Sequence, residues 1–314
     1  MRILIPEAMH ADAVGLLRSA GHEVVFDPQL RYEPARLLDE APRADALIVR
    51  NRTQVRGELL DALKRLRVVG RLGVGLDNID LEVCRARGIE VVPAIGGNSR
   101  TVAEYILTSA LILLRGAAVY GSTAGVAAGQ WPRTHAERGR EIAGLVFGIV
   151  GYGAIGRGAA QIAQGLGMRV IAYARSGEQA ARQGPPGVGI RSLDDVLAEA
   201  DVLSVSLPIT TQTRDFIGER QIARMKAGAV LVNTARGGVV NEQALVRALR
   251  EGRLGGAAVD VFEHEPLPAG SALADPPPNL LLTPHIAGVS ADSEFRVADI
   301  VARRVIELLA GART

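Results

Sequence analysis

The sequence contains one cysteine, Cys84, among its 314 residues, and only 4% of the residues are aromatic. A single thiol excludes an internal disulfide and a metal site built from several thiolates, and it is typical of a reducing compartment. The 36 basic and 34 acidic side chains leave a net charge of +2, which gives no basic surface of the kind that binds nucleic acid. No apolar run reaches the ~20 residues of a membrane span, and the chain after Ile5 becomes polar too early for a signal peptide. We therefore expect a cytoplasmic protein with small-molecule partners, no nucleic acid and no membrane.

Short runs of β-branched residues alternate with helical patterns through the first third of the chain. The predicted strands lie at residues 3–5, 22–26, 46–49, 68–70 and 90–92. Enough chain separates each pair for a crossover helix, which predicts parallel strands and a small α/β domain. Gly73 and Gly75 follow the fourth strand, where a backbone loop can approach a ligand.

A second α/β pattern begins at residues 145–176, LVFGIVGYGAIGRGAAQIAQGLGMRVIAYARS. An apolar run is followed by Gly151, Gly153 and Gly156 in the spacing G-x-G-x-x-G, then by an alanine-rich segment and a second β-branched run. In such a strand, turn, helix and strand, the first glycine permits the turn and the second exposes backbone to a pyrophosphate. The third glycine lets the helix approach the strand. Because both strands stand at the correct distance, the segment predicts a dinucleotide site.

The end of the second strand in this segment bears on which dinucleotide binds. An NAD site usually places Asp or Glu there against the ribose hydroxyls, whereas a nearby arginine suits the 2′-phosphate of NADP. This strand ends in Tyr173, Ala174, Arg175 and Ser176, without a carboxylate. Arg175 and Ser176 can bind a phosphate through charge and hydroxyl, so we favour NADP(H). NAD(H) is the alternative if Arg175 is only a solvated charge.

Two segments join the α/β patterns. Residues 98–114 predict a helix long enough to pass between two domains, because about 16 residues span ~24 Å. Residues 116–140 are rich in glycine and alanine and contain the single tryptophan, Trp131. Such a segment packs poorly alone, so we interpret it as a loop or arm whose partner lies in a second subunit. The prediction is a homodimer formed through this arm and the dinucleotide domain.

Three later predicted strands, at 229–233, 256–261 and 280–283, are each followed by one candidate for chemistry: Arg236, Glu265 and His285. Ligands of open α/β sheets bind beyond such strand ends. Hydride transfer at a carbon that bears oxygen requires a proton to move at that oxygen, and imidazole suits this near neutral pH. A carboxylate beside the imidazole holds its tautomer and favours its protonated form. A guanidinium can bind the carboxylate of a 2-oxo acid and polarise its carbonyl.

These motifs resemble those of the D-isomer-specific 2-hydroxyacid dehydrogenase family over almost the whole chain. The glycine fingerprint and the three strand-end loops carry the resemblance, together with GVGLDNID at 73–80 and NSRTVAE at 98–104. The family implies an α/β fold of two doubly wound parallel-sheet domains with a cleft between them. We expect a flavodoxin-like substrate domain at 1–98 plus 288–314 and a Rossmann cofactor domain at 99–287. The chain departs from the family's NAD pattern at Ala174.

The resemblance also implies a role for individual residues. Arg236, Glu265 and His285 fall on the family's catalytic arginine, glutamate and histidine, and Asp260 falls on an aspartate near the nicotinamide amide. Substrate contacts are expected from Arg50, Val74, Gly75, Arg236 and His285. The glycine pattern and the resemblance together predict the cofactor contacts, which are Gly151, Gly153, Ala154, Ile155, Gly156, Arg175, Ser176, Pro208, Thr213, Thr234, Ala235, Asp260 and Gly288. No metal is expected, because hydride transfer of this kind needs none.

Alternatives stay open for single residues and for the function. His264 adjoins Glu265, but neighbouring side chains at a strand end point apart, so both cannot face one ligand. Arg50 either reaches a second anionic group of the substrate or is a surface charge. The chain could instead be a non-catalytic NAD(H) sensor like the C-terminal-binding-protein corepressors, or a formate- or phosphite-type dehydrogenase, although formate enzymes place Gln at Glu265.

The expected reaction interconverts a 2-oxo acid and its 2-hydroxy acid, mainly by reduction if NADPH is used. Glyoxylate, hydroxypyruvate, 3-phosphoglycerate and sulfolactate are the candidate acids. The sequence does not choose among them.

Overall fold

The computed structural model describes residues 1–175, 177 and 183–311. Contacts divide the chain into two compact units, one formed by Met1–Asn98 with Val289–Thr314 and the other by Ser99–Gly288. Each unit contains one parallel sheet. Within the described residues, every helix is too short or too polar to cross a bilayer.

The strands of the first unit are β1 (Arg2–Ile5), β2 (Glu23–Phe26), β3 (Ala46–Val49), β4 (Val68–Arg71) and β5 (Glu90–Pro93). They form one parallel sheet in the order β2-β1-β3-β4-β5, the order of flavodoxin-like sheets. The central strand β3 is buried along its whole length, as expected of a parallel strand covered on both faces. The strand order reverses direction between β1 and β3, which is where open α/β sheets bind ligands.

The α-helices of the described residues are, in chain order, α1 (Ala11–Ser19), α2 (Pro34–Glu40), α3 (Gly57–Ala62), α4 (Leu81–Ala86), α5 (Ser99–Arg115), α6 (Ala117–Tyr120), α7 (Thr123–Ala127), α8 (Ala154–Gly165), α9 (Leu193–Glu199), α10 (Glu219–Arg224), α11 (Glu242–Arg250) and α12 (Ala291–Ala310). Helix α12 returns to the first unit, where Ser290 caps it by accepting a hydrogen bond from the Ser293 amide. Its buried stripe includes Val301, and a Cβ at Gly70 of β4 would lie only 2.6 Å from that side chain. The glycine therefore lets the helix lie close against the sheet.

The strands of the second unit are β6 (Val146–Val150), β7 (Arg169–Tyr173), β8 (Gly189–Ile190), β9 (Val202–Val205), β10 (Ala229–Asn233), β11 (Leu254–Val259) and β12 (Leu280–Leu282). They form a seven-stranded parallel sheet in the order β12-β11-β10-β9-β6-β7-β8. The order is that of a Rossmann sheet, and it reverses between β6 and β9. The carboxyl ends of β10, β11 and β12 are neighbours along one edge of this sheet.

The predicted fold class, two doubly wound parallel sheets, is confirmed. Strand β8 was not predicted, because two residues carry no hydrophobic period. The segment 116–140, expected to be a loop or arm, contains α6, α7 and a short 3₁₀ helix, Arg133–Ala136. Trp131 in this segment is 78% exposed, and its contact with a second subunit stays a prediction.

Candidate active site

In the loop after β6, each of the three glycines has a different physical role. Gly151 adopts φ +101°, and a Cβ there would lie 2.3 Å from the carbonyl oxygen of Ser206. A Cβ at Gly156 would lie 2.5 Å from the carbonyl oxygen of Gly151, so helix α8 approaches the loop only without a side chain. A Cβ at Gly153 would meet nothing within 4 Å. The fold itself therefore requires Gly151 and Gly156, whereas Gly153 leaves its backbone open to a ligand.

Helix α8 begins directly after this loop, and no side chain caps its N-terminus at Gly153. Its first amides include those of Ala154 and Ile155, two of the predicted cofactor contacts. Uncapped amides at a helix N-terminus attract phosphate oxygens through hydrogen bonds and through the helix dipole. The open glycine and the uncapped helix therefore fit the pyrophosphate of a dinucleotide.

Arg236 lies in the tight loop that follows β10. The amide of Ala235 donates to Asn233 Oδ1 at 3.1 Å, and Arg236 Nη1 donates to the carbonyl oxygen of Ala235 at 2.8 Å. A Cβ at Gly237 would lie 1.8 Å from the carbonyl oxygen of Phe262, so this loop is packed against the one that follows β11. That packing brings the charge of Arg236 close enough to Glu265 to lower the pKa of its carboxyl group.

Glu265 and His285 form a hydrogen-bonded pair, with 2.7 Å between Glu265 Oε2 and His285 Nδ1. Because a carboxylate only accepts, Nδ1 carries the proton and Nε2 is the nitrogen available for proton transfer. The other carboxylate oxygen accepts from the Phe262 amide at 3.1 Å. The side chain of His285 is 42% exposed and that of Glu265 is 35% exposed, so a ligand can reach the pair.

The ionisation of Glu265 follows from its neighbours. Partial burial would raise the pKa of this carboxyl group, but hydrogen bonds from His285 and the Phe262 amide lower it, as do the charges of His285 and Arg236. The lowering contributions outweigh burial, so the pKa lies below its ordinary value. Glu265 is therefore a carboxylate at neutral pH, which is the state that orients the imidazole.

His285 occupies a left-handed backbone conformation with φ +55°, which costs a residue with a side chain about 1–2 kcal/mol. Asp260, only 1% exposed, holds the loop in place. Its Oδ1 and Oδ2 accept the amides of Ile286 and Ala287, both at 2.8 Å. The predicted contact of Asp260 with the cofactor stays a prediction. The structure shows in addition that Asp260 holds the loop of His285 through these hydrogen bonds.

The remaining predicted cofactor residues of the second unit lie mostly at carboxyl ends of strands. Thr213 Oγ1 donates to the carbonyl oxygen of Pro208 at 2.6 Å in the loop after β9. Thr234 and Ala235, directly after β10, are buried. Gly288 is the last residue of this unit.

Arg175 lies two residues after the end of β7 and is exposed, and it makes no ion pair within the part of the chain that the structure describes. Ser176 lies outside the described residues. The phosphate site predicted for these two residues therefore stays a prediction.

The predicted substrate contacts Arg50, Val74 and Gly75 belong to the first unit. The Arg50 guanidinium is not free, because its two terminal nitrogens donate to the two carboxylate oxygens of Glu294, each at 2.5 Å. Val74 is exposed. The structure thus brings Arg236, Glu265 and His285 together in one unit and places the predicted contact for a second anion in the other.

His264 and Glu265 take different directions. His264 lines a surface pocket of about 440 Å³ together with Glu242 and Glu263, whereas the Glu265 carboxylate reaches His285. Glu242, which the sequence analysis missed, accepts the Glu263 amide at 2.9 Å and so supports the loop of Glu265. Its only signal in the sequence is a carboxylate in the first turn of a helix, which is too common a feature to point to a site.

Tyr105 and Thr283 were also missed as supporting residues. The Tyr105 hydroxyl lies 2.6 Å from Thr283 Oγ1, which donates to Asp260 Oδ1 at 2.6 Å. A hydroxyl on the largely apolar helix α5 is a weak signal, because nothing in the sequence tells which strand end it meets. Within the described residues, no cluster of three or more His, Cys, Asp or Glu side chains could hold a metal ion.

Comparison with known proteins identifies the family of the chain. A family model described as "D-isomer specific 2-hydroxyacid dehydrogenase, NAD binding domain" matches residues 108–287. The chain is 47% identical to (S)-sulfolactate dehydrogenase of Chromohalobacter salexigens over 96% of both chains. It is 36% identical to glyoxylate reductase of Aeropyrum pernix, over 99% of this chain and 93% of the relative.

A solved structure extends the similarity to the whole fold. The TT0316 protein of Thermus thermophilus superposes with a TM-score of 0.86 at 34% identity, covering 99% of this chain and 97% of that one. The sequence resemblance and the two parallel sheets agree with these matches. The chain belongs to the D-isomer-specific 2-hydroxyacid dehydrogenase family.

Proposed function

We propose that this protein is an NAD(P)-dependent dehydrogenase that interconverts a small 2-hydroxy acid and the corresponding 2-oxo acid. The observation that carries the proposal is the contact of 2.7 Å between His285 and Glu265. The charge of Arg236 acts on the same carboxylate. These residues follow three neighbouring strands of the sheet whose first strand carries the open glycine loop. A dinucleotide site and an acid–base pair on one sheet edge suit hydride transfer coupled to proton transfer.

The bound nicotinamide would supply or accept the hydride. In the oxidising direction, His285 Nε2 takes the proton of the substrate hydroxyl, and in the reducing direction it returns a proton to the carbonyl oxygen. Glu265 holds the tautomer that leaves Nε2 free and stabilises the protonated ring. Arg236 binds the substrate carboxylate through its guanidinium and draws electron density from the adjacent carbonyl.

We propose sulfolactate as the first substrate to test. The support is the 47% identity to a relative named (S)-sulfolactate dehydrogenase over nearly all of both chains. A substrate with a sulfonate needs a second cationic contact, for which Arg50 is the predicted residue. Because Arg50 is paired with Glu294, binding an anion through Arg50 would require it to exchange that partner.

For the cofactor we propose a preference for NADP(H), with NAD(H) as the alternative. The support is the strand end Tyr173-Ala174-Arg175, which has no carboxylate to meet a ribose hydroxyl and presents an exposed guanidinium. The family description names NAD. An Arg175→Gln variant should raise the KM for NADPH about tenfold and leave that for NADH within about twofold, because one charge-assisted phosphate contact is lost.

The experiment that tests the function follows absorbance at about 340 nm, the band of the reduced nicotinamide. Each cofactor is paired with sulfolactate, glyoxylate, hydroxypyruvate and 3-phosphoglycerate, in both directions where the partner acid is available. We expect the highest kcat/KM with sulfolactate. Faster turnover of another acid would replace the substrate assignment, and no turnover of any acid would favour a non-catalytic NAD(H)-binding protein.

We also propose that the protein acts as a homodimer through the segment 116–140 and the second unit, and that it works in the cytoplasm. The support for the dimer is the exposure of Tyr120, Val126 and Trp131, three large apolar side chains within one short segment. Sedimentation velocity should give a dimer for the wild type, and a Tyr120→Ser/Trp131→Ser variant should shift it toward the monomer. A monomeric wild type would contradict this part of the proposal.

A further inference from the structure

Tyr105 is connected to the loop of His285 through hydrogen bonds of Thr283 and Asp260. It lies on α5, and its hydroxyl is 2.6 Å from Thr283 Oγ1. Thr283 Oγ1 in turn donates to Asp260 Oδ1 at 2.6 Å. A threonine hydroxyl has one proton, and Thr283 donates it in the hydrogen bond to the Asp260 carboxylate. Tyr105 is therefore the donor in its contact with Thr283. The hydrogen bonds therefore run in one direction, from Tyr105 through Thr283 to Asp260.

Asp260 is the residue on which the histidine loop depends. Its two oxygens accept the amides of Ile286 and Ala287, and its carbonyl oxygen accepts the amide of His285 at 2.9 Å. Three successive amides are thus bound by one residue. The left-handed conformation of His285 is uncommon for a residue with a side chain, so it persists only while these contacts hold.

The surroundings of Tyr105 keep its hydroxyl protonated. Burial raises the pKa of Tyr105, and the charge of Asp260 raises it further. The net shift is upward. Tyr105 is therefore a permanent donor over the pH range in which a histidine titrates.

We infer that Tyr105 is a positioning residue for the proton transfer: by orienting the Thr283 hydroxyl toward Asp260, it fixes the loop that presents His285. The inference rests on the proposed function, but it concerns contacts that exist without any substrate. A misplacement of about 1 Å in a catalytic group can reduce the rate about a hundredfold, so a slackened loop is expected to be visible in kcat.

The kinetic test uses a double-mutant cycle. Tyr105→Phe removes only the donor, and Thr283→Val removes the hydroxyl through which it acts. We expect kcat to fall about tenfold in Tyr105→Phe and about thirtyfold in Thr283→Val, with little further loss when the two are combined. Thr283→Ser, which keeps the hydroxyl, should retain kcat within about threefold. Losses that multiply in the double variant, or a kcat of Tyr105→Phe within about twofold of wild type, would overturn the inference.

A second readout needs no turnover. The amides of Ile286 and Ala287 should exchange with deuterium about tenfold faster in Tyr105→Phe than in the wild type, because their acceptor is held less firmly. Thr108→Val is the matched control, since it removes an exposed hydroxyl from the same helix and should leave the exchange unchanged. If the wild type turned over no acid, the proposed function would fail, and this exchange would still decide the role of Tyr105. Equal exchange in Tyr105→Phe and wild type would overturn the inference.

Discussion

The two sheets have the same kind of aspartate–amide hydrogen bond at the edge where their strands begin. Asp45, directly before β3, accepts the amide of Arg2 at the start of β1 at 2.7 Å. Asp201, directly before β9, accepts the amide of Val146 at the start of β6 at 2.9 Å. In both sheets the aspartate thus joins the two strands between which the strand order reverses.

In each unit, a basic side chain forms an ion pair with this aspartate. Arg65, three residues before β4, lies 2.9 Å from Asp45, and Lys226, three residues before β10, lies 2.8 Å from Asp201. The two units therefore agree in strand order near the reversal and in the polar contacts that fix it.

The opposite edge is where the units differ. After β1 comes Glu7, which is 2% exposed and accepts the amides of Arg50 and Thr53 at 3.0 Å and of Arg52 at 3.3 Å. After β6 comes Gly151, whose loop leaves its amides without a side-chain cap. Glu7 thus satisfies loop donors of the first unit with a side chain, whereas no side chain caps the first amides of α8 in the second unit. Architecture alone therefore does not make a dinucleotide site, and the residues that follow the first strand decide it.

The largest effect that the comparison predicts is the loss of turnover in His285→Asn. Asparagine adopts the left-handed backbone conformation readily, so the fold is kept while the imidazole is removed. We expect kcat to fall about 10²–10⁴-fold, the usual contribution of an acid–base group, with dinucleotide affinity within about twofold and the melting temperature within about 2 °C. Stopped-flow rates, fluorescence titration with the reduced cofactor and a thermal melt measure these quantities. Turnover at the wild-type rate would remove His285 from the mechanism.

In the first unit, the expected effect of changing Glu7 is a loss of stability. Glu7→Gln replaces one of the two acceptor oxygens with an amide nitrogen, which donates, so at least one of the three backbone amides loses its acceptor. Urea unfolding should show a loss of about 2–4 kcal/mol. Glu58→Gln, an exposed position in the same unit, should change stability by less than about 0.5 kcal/mol. If both variants were equally stable, the internal satisfaction of this loop would have no energetic weight.

A pair of glycine variants separates ligand binding from folding within the second unit. Gly156→Ala should destabilise the protein by about 1–3 kcal/mol, because its Cβ would press on the Gly151 carbonyl oxygen. Gly153→Ala meets open space, so stability should stay within about 0.5 kcal/mol while the dissociation constant for the dinucleotide rises at least about tenfold. Calorimetric titration and thermal melts measure both. Unchanged affinity in Gly153→Ala would show that no ligand approaches this backbone.

Local sequence signals predicted much of this arrangement. The β-branched runs and the G-x-G-x-x-G spacing predicted the second sheet's first strand, turn and helix, because each depends on residues close in the chain. Arg236, Glu265 and His285 could be selected because parallel strands end at one edge, so residues distant in sequence meet there. The resemblance to a known family added the role of each.

Contacts that depend on which strands pair could not be predicted from the sequence. Glu7 caps a loop more than forty residues away, and Asp201 reaches β6 across the reversal of the sheet, so neither has a local pattern. Arg50 was predicted to face the substrate, and its pairing with Glu294 from α12 could not be read from either segment alone. Tyr105 was hidden for the same reason, since α5 meets the end of β12 only after folding.

The smallest predicted effect concerns Asp201, at the edge where the strands of the second sheet begin. The side chain of Asp201 is 6% exposed, and burial would raise the pKa of its carboxyl group, but hydrogen bonds from Lys226, the Val146 amide and Arg140 lower it below 3.8. A lowered pKa in the folded state means that the ionised form stabilises the fold above about pH 4 and that this stability is lost as the pH falls below 3.8. Asp201→Asn should therefore reduce the free energy of unfolding by about 1–2 kcal/mol at pH 7, and the difference should shrink on acidification.

Urea titrations between pH 7 and pH 3 measure this difference, with Asp194→Asn as the control because its ion pair with Arg224 is exposed at both ends and should contribute less than about 0.5 kcal/mol. An equal loss for Asp201→Asn at every pH would mean that the carboxylate acts through shape rather than charge. Asp45→Asn then extends the comparison to the first unit. If it causes a loss similar to that of Asp201→Asn, the common edge has the same energetic role in both sheets, and the residues after β1 and β6 are what give the two units different functions.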